Sequence, residues 1–280
     1  MKQSMGVGLL CAVLGAIGFS FKAILVKLAY RHGVDAETLL ALRMAFALPF
    51  FLAMAAYAYV GAKRGQQVAL TARDAAALAG LGFLGYYLSS YSDFLGLNYI
   101  SAGLERLILF TYPTIVIVLS ALFLKKPITP RMGLALLMCY LGIGLAVGHD
   151  LAVSGGSTEI ATGSALVFAS AISYALFMMG NGAMVARLGA MQVTALATAV
   201  ACLLSIAQFL LLRPLSALVQ PWEVYSLAVQ MAVVSTVAPV WLISEAMRHL
   251  GAGPVSLTGT LGPVATLGLG WWLLGDLKYT

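Results

Sequence analysis

Asp93 is the residue whose type and depth most constrain chemistry. It lies about two turns inside an apolar run, and its side chain is too short to reach the water layer along the helix. A charge in the hydrocarbon layer costs at least about 3 kcal/mol, so Asp93 needs a cationic neighbour. Lys22, Arg43 and Arg106 are the candidates. Such a group serves as an ion pair at a gate or as a proton site. Glu105 falls in the first turn of the next apolar run, where the helix dipole favours a carboxylate. Glu245 can pair with Arg248 or His249 one turn on. Lys22 and Arg43 have arms long enough to snorkel outward. Asp93, Glu105, Lys22 and Arg43 are therefore the candidate gating or coupling residues.

Two polar faces could meet a solute. Tyr86, Ser89, Ser90 and Asp93 share one side of a helix by their i, i+3, i+4, i+7 spacing, with Tyr87, Tyr91 and Phe94 adjoining. Ser170, Ser173, Tyr174, Phe177, Met178 and Asn181 make a second such face. Trp241 stands 150 residues after Tyr91. A lipid-facing stripe would be less polar. The competing account is hydrogen bonding between helices, worth about 1 kcal/mol per contact. On the solute reading, Tyr86, Tyr87, Ser90, Tyr91, Tyr174, Met178, Asn181 and Trp241 line a pocket. Rings with a few hydroxyls suit an aromatic amino acid better than a sugar phosphate, which wants clustered basic residues.

Pro113 and Pro263 each stand about ten residues into an apolar helix, near the midplane. A proline there leaves the carbonyl four residues back, Leu109 or Gly259, without its helical partner. Such carbonyls need neighbouring helices or a wet cavity. The matched placement puts both prolines at a cavity wall. Pro49 and Pro239 have no match and read as packing kinks.

These residues are positioned by helices in lipid. The chain has 280 residues, 61% hydrophobic and 9% charged, against about 25% charged in a soluble domain. At about 1.5 Å rise per residue, a span needs about 20 residues. Nine runs qualify: 5–29, 37–60, 75–98, 103–124, 131–148, 163–185, 191–212, 223–247 and 254–275. The first continues past Lys22 to Tyr30 and reads as a span rather than a cleaved leader. With the N-terminus cytoplasmic, Lys2, Lys63, Arg64, Arg73, Lys125, Lys126, Arg131, Arg187 and Arg248 lie inside. Lys27, Arg31, Arg213 and Lys278 then lie outside, in keeping with the positive-inside rule.

The chain also repeats. Ala102-Gly103 followed by Pro113 recurs 150 residues later as Ala252-Gly253 followed by Pro263. Gly8 with Ala16–Ser20 matches Gly163 with Ala171–Ala175, and Arg31-His-Gly33 matches Arg187-Leu-Gly189. The expected fold class is an all-α integral membrane protein of two repeats. Residues 1–148 form a five-helix repeat, 149–162 a periplasmic linker, and 163–280 a second repeat lacking its last helix. Five helices is an odd number, so the copies enter the membrane from opposite sides, related by a twofold axis in its plane. Ten helices are expected and nine are present, a shortfall that reads as truncation.

Enzyme chemistry finds little support. His32, His149 and His249 lack partnered carboxylates or cysteines at metal spacing, and no phosphate-binding glycine loop occurs. Cys11, Cys139 and Cys202 show no ligand spacing. No metal and no cofactor are expected. The basic residues are spread between apolar runs, which argues against nucleic acid. The expected partners are a small-molecule solute and the bilayer, with a monomer sufficient. The competing classes are a membrane enzyme acting on a lipid-borne substrate, which needs a paired acid and base facing one leaflet, and a channel, which needs a continuous polar pore.

The segment Asp93-Phe-Leu-Gly-Leu-Asn-Tyr-Ile-Ser-Ala-Gly-Leu-Glu-Arg-Leu-Ile-Leu-Phe-Thr-Tyr-Pro113, its echo 150 residues on, and the ending Leu274-Gly275-Asp276 resemble EamA-type transporters of the drug/metabolite transporter superfamily. The resemblance covers the whole chain. It implies ten helices and movement of small metabolites, often amino acids and commonly outward, with the aromatic amino acid exporters most similar. Two features depart from the family pattern: Lys125-Lys126 replaces the Gly-Glu-like pair that usually ends the fourth helix, and a tenth helix is missing.

Overall fold

The computed structural model describes residues 2–63, 70–124 and 157–250, with isolated positions at 130, 134, 137, 138 and 141. Apart from those positions the expected span 131–148 lies outside the described residues, as do the span 254–275, the linker 149–162 as far as residue 156, and Pro263.

Helix α1 covers Lys2–Tyr30 and ends at Gly33, whose φ of 77° needs a residue without a Cβ. Asp35 then starts α2, Ala36–Lys63, accepting from the Thr38 amide at 2.9 Å and the Thr38 hydroxyl at 2.8 Å. The third membrane pass starts with a reciprocal cap between Thr71 and Asp74. It runs as α3, Ala72–Leu81, a π-helical turn, Gly82–Leu88, and α4, Ser89–Gly96. Ser101 caps α5, Ala102–Leu109, by accepting from the Leu104 amide, and α6 follows over Tyr112–Leu124.

The second set opens with α7, Ser157–Leu188, which begins six residues ahead of the span read from hydropathy. It ends at Gly189, φ 84°. Then come α8, Ala190–Leu212, a short 3-10 turn, Leu215–Leu218, and α9, Trp222–Ala232. A second π-helical turn, Val233–Val237, leads into α10, Ala238–Leu250.

Among the described residues six helical runs are long and apolar enough to cross a membrane: Met5–Tyr30, Ala36–Gly61, Ala102–Phe123, Thr158–Val185, Ala190–Leu212 and Trp222–Ile243. The pass through α3 and α4 is also helical but more polar, because Tyr86, Tyr87, Ser89, Ser90, Tyr91 and Ser92 crowd its second half ahead of Asp93. The protein is an all-α membrane protein of the inverted-repeat type.

Pro113 corrects one expectation. The run 103–124 is not a single helix kinked at its proline. It is interrupted at Phe110 and Thr111, and Pro113 is the second residue of α6. A proline in the first turn has no helical N–H bond to lose, so the break falls before it. Thr111 closes the gap, its hydroxyl and its amide both donating to the Ile108 carbonyl, at 2.7 and 3.0 Å. Pro49, by contrast, lies inside a continuous α2.

The packing follows the repeat. The glycines at positive φ, Gly33 and Gly189, stand at the ends of the first helix of each set. The π-helical turns interrupt the third helix of each set, and Ala72 and Trp222, 150 residues apart, start those helices. α1 packs on α10, α7 packs on α4, and α2 packs on α8. Each first helix thus lies on the third helix of the other set, and the second helices lie on each other. That exchange is what a twofold relation requires of a self-complementary interface. The principal apolar core sits among α1, α2, α4, α8 and α9. It includes Leu and Val side chains with Met44, Phe51, Phe94, Cys202 and Met231, all buried.

Candidate functional site

Five charged side chains converge inside the spanning helices. Lys22 of α1 places its Nζ 2.6 Å from Oδ2 of Asp93 and 3.5 Å from Oε1 of Glu105. Arg106 places Nε 3.8 Å from Oε2 of Glu105 and donates from Nη2 to the Phe19 carbonyl at 2.8 Å. Arg43 of α2 donates from Nε to Thr236 Oγ1 at 2.9 Å, and its guanidinium lies 5.3 Å from the centroid of the Phe94 ring. Asp93 and Glu105 are 1% and 0% exposed. The carboxylates touch no hydrogen-bond donor beyond these cations. At such depth the ion pairs are the only compensation for lost hydration.

The local sequence explains how these residues meet. Asp93 and Phe94 stand one turn before the end of α4, and the short turn at Leu97–Ile100 returns the chain so that Glu105 and Arg106 of α5 face α1. The Tyr30 hydroxyl donates to the Phe94 carbonyl at 2.7 Å and ties the end of α1 to α4. Thr236 sits in the second π-helical turn and donates to the Met231 carbonyl, five residues back. The widened turn therefore delivers its hydroxyl to Arg43 from the other half of the molecule.

The rings form two groups. Tyr112 meets Tyr174 edge-on at 4.9 Å, Tyr174 lies 5.5 Å from Phe177, and Phe177 meets Tyr86 edge-on at 5.1 Å. A second string joins Phe83, Tyr87 and Tyr91, with the last two stacked at 6.4 Å. Tyr91 also donates to Glu37 at 3.2 Å.

The structure thus brings Tyr86 and Tyr174 together and sets Tyr87 and Tyr91 in a separate stack. Ser90 and Asn181 are half-buried. Met178 and Trp241 are exposed, at 37% and 50%. Pro113 is exposed as well. Ser89 and Ser170 bond each other at 2.9 Å and Ser170 also donates to the Ser89 carbonyl at 2.8 Å, so these members of the polar faces join helices. Sequence reasoning did not reach Thr236 or Tyr112. They come from distant segments, and no spacing rule links Arg43 to a residue 193 positions away. Among the described residues no group of three or more His, Cys, Asp or Glu side chains could hold a metal ion.

Two ion pairs outside the spans bind loops of one side together. Arg213 lies 3.0 Å from Glu37 and 3.5 Å from Asp35. Burial raises the Asp35 pKa, but bonds from Thr38 and the Arg213 charge outweigh it and hold that carboxyl below its ordinary value. Arg187 lies 3.0 Å from Asp74. The Thr71 hydrogen bonds, with Arg187 adding to them, hold Asp74 low.

Known proteins agree with this architecture. The EamA-like transporter family matches the chain twice, over residues 6–148 and 161–277. The chain belongs to the EamA-like transporter family. A relative in Bacillus subtilis (strain 168), the uncharacterized transporter YcbK, is 28% identical over 284 residues, covering 98% of this chain and 87% of that protein. A solved crystal structure superposes with a TM-score of 0.62 at 17% identity, covering 99% of this chain and 90% of the other, which shows a shared fold. This EamA-like protein is a multi-pass membrane transporter of small molecules.

Proposed function

We propose that this transporter exports amino acids, aromatic ones in particular, by alternating access around a midplane cavity between two inverted repeats. The observation that carries the reading is the contact of Arg43 in the first half with Thr236 in the second, beside a buried ion cluster. A largely buried charge network in the first half, tied to the second through Arg43 and Thr236, acts as a gate, because breaking that tie is costly unless water or solute replaces the lost partner. Lys22, Arg43, Asp93 and Glu105 form that gate, with Pro113 just after the helix break that follows α5 and Pro263 its mate in the repeat. Tyr86, Tyr87, Ser90, Tyr91, Tyr174, Met178, Asn181 and Trp241 contact the solute as the halves open. The repeats span 1–148 and 163–280, joined by a periplasmic linker at 149–162. The N-terminus is cytoplasmic, the membrane is the bacterial inner membrane, and a monomer is sufficient.

Proteoliposomes holding the purified chain test this directly. Counterflow of labelled phenylalanine, tyrosine or tryptophan is expected, and Asp93→Asn should abolish it. Equal uptake in protein-free vesicles and in those holding the transporter, across a full amino acid panel, would overturn the amino acid reading.

A further inference from the structure

Among the described residues the buried charges of the ion cluster do not balance. Lys22, Arg43 and Arg106 supply three cations, and Asp93 and Glu105 supply two carboxylates. The surplus is at least one positive charge, and it grows if either carboxylate takes a proton. A surplus charge at this depth is strongly unfavourable unless an anion joins it.

The guanidinium groups point the same way. Arg43 and Arg106 are each 5% exposed. One end of each is committed, Arg43 Nε to Thr236 and Arg106 Nη2 to the Phe19 carbonyl. Arg43 Nη1 is buried with no hydrogen-bond acceptor, and Arg106 Nε faces Glu105 Oε2 only at 3.8 Å, too far for a hydrogen bond. Buried donors of charged groups are rarely left without an acceptor, because the desolvation cost is large. Two pinned guanidinium groups with open donors suit a planar, singly charged oxyanion.

We propose that Arg43 and Arg106, backed by Lys22, bind the carboxylate of the transported solute. This rests on the transport reading and names the solute class. The surplus of one charge fits a monocarboxylate. A phosphate monoester, with nearly two charges, would be repelled by Asp93 and Glu105.

The other end of the solute follows from the twofold relation. Tyr86 stands 150 residues before Thr236, and Phe177 and Thr198 each stand 155 residues after Lys22 and Arg43. The pair Arg43 and Thr236 is thus matched by Thr198 and Tyr86 at the equivalent positions of the other half. An axis in the membrane plane carries the ionic cluster to the opposite side of the midplane, and there the chain holds the ring string Tyr112–Tyr174–Phe177–Tyr86. A solute with a carboxylate at one end and an apolar group at the other matches both sides.

The test is binding to the full chain in nanodiscs, read by calorimetry, with four probes: phenylalanine, 3-phenylpropionate, phenethylamine and chloride. Phenylalanine and 3-phenylpropionate are expected to bind, and phenethylamine at least about tenfold more weakly, because it cannot accept from the guanidinium groups. Arg43→Gln should weaken 3-phenylpropionate by at least about tenfold and leave phenethylamine unchanged, and Arg43→Lys should recover part of the loss. Wild-type affinity for 3-phenylpropionate in Arg43→Gln overturns the proposal. So does binding of neither carboxylate, or chloride binding that 3-phenylpropionate does not compete with. Carboxylate binding that depends on Arg43, in a protein that moves no labelled amino acid, would keep this site and refute the amino acid export reading.

Discussion

Ser173 donates a 2.8 Å hydrogen bond from its Oγ to the carbonyl of Leu84, inside the first π-helical turn. The same pairing recurs across the twofold axis with different residues. Gly18, 155 residues before Ser173, lies against the carbonyl of Val234, 150 residues after Leu84. Ser170 on Ser89 is matched likewise by Gly15 on Pro239. One crossing is held by hydroxyls and the other by close backbone approach, two standard ways of packing helices in lipid.

Gly18 is the tightest of these approaches to test. An added Cβ would stand 2.6 Å from Pro239 Cγ and 2.9 Å from the Val234 carbonyl oxygen. Gly18→Ala should therefore destabilise by about 1–3 kcal/mol, the usual cost of overpacking. Gly6→Ala, with nothing within 4 Å of the added carbon, is the neutral control. Thermal unfolding in detergent measures both, and an unchanged Tm for Gly18→Ala would contradict the close crossing of α1 and the second π-helical turn.

The mirror crossing should yield to hydroxyl removal instead. Ser173→Ala and Ser170→Ala should each cost about 1 kcal/mol or somewhat less, the size of interhelical hydrogen bonds in membranes. The two sites bond different carbonyls, Leu84 and Ser89, so their effects should be close to additive. Urea or heat titration of the single and double variants checks the sum.

Lys22 and Asp93 should behave as a coupled pair. Asp93→Asn takes from Lys22 its 2.6 Å carboxylate and leaves it only the 3.5 Å contact with Glu105, and should cost about 3–5 kcal/mol. Lys22→Met with Asp93→Leu should cost less than the two single changes added together, with a coupling of about 1 kcal/mol or more. Strict additivity in the unfolding data would mean that the 2.6 Å contact carries no energy.

Asp74 predicts an acid dependence outside the membrane. Its pKa is lowered in the folded state, so it adds stability above its ordinary value of 3.8 and loses that contribution as pH falls through the lower folded value. Asp74→Asn should reduce Tm at neutral pH, and the difference from wild type should vanish in acid. A constant gap in Tm across that pH range would show that the Thr71 cap and the Arg187 pair do not act through the charge.

The sequence by itself determined the solvent, the helices and the repeat. Apolar length needs no tertiary information, so the spans from 5–29 to 223–247 could be placed within a few residues wherever the chain is described. The glycine match between Gly33 and Gly189 was equally legible, because each ends a helix at positive φ. The need of Asp93 for a cation could also be read from depth and charge, and the three candidates named for it all lie in its cluster. Which of them touches it was not legible. Lys22 rather than Arg43 or Arg106 makes the short contact because of how α1 lies on α4 and α5, and that is set by the whole core. The two π-helical turns left no mark in the sequence either, since the first carries no proline and a widened turn follows from packing demands on both faces. Only the tertiary structure brought Thr236 to Arg43, split the tyrosines of the third helix into two groups and left a positive surplus in the core. Side-chain spacing reports which residues share a face, whereas charge balance depends on which faces meet.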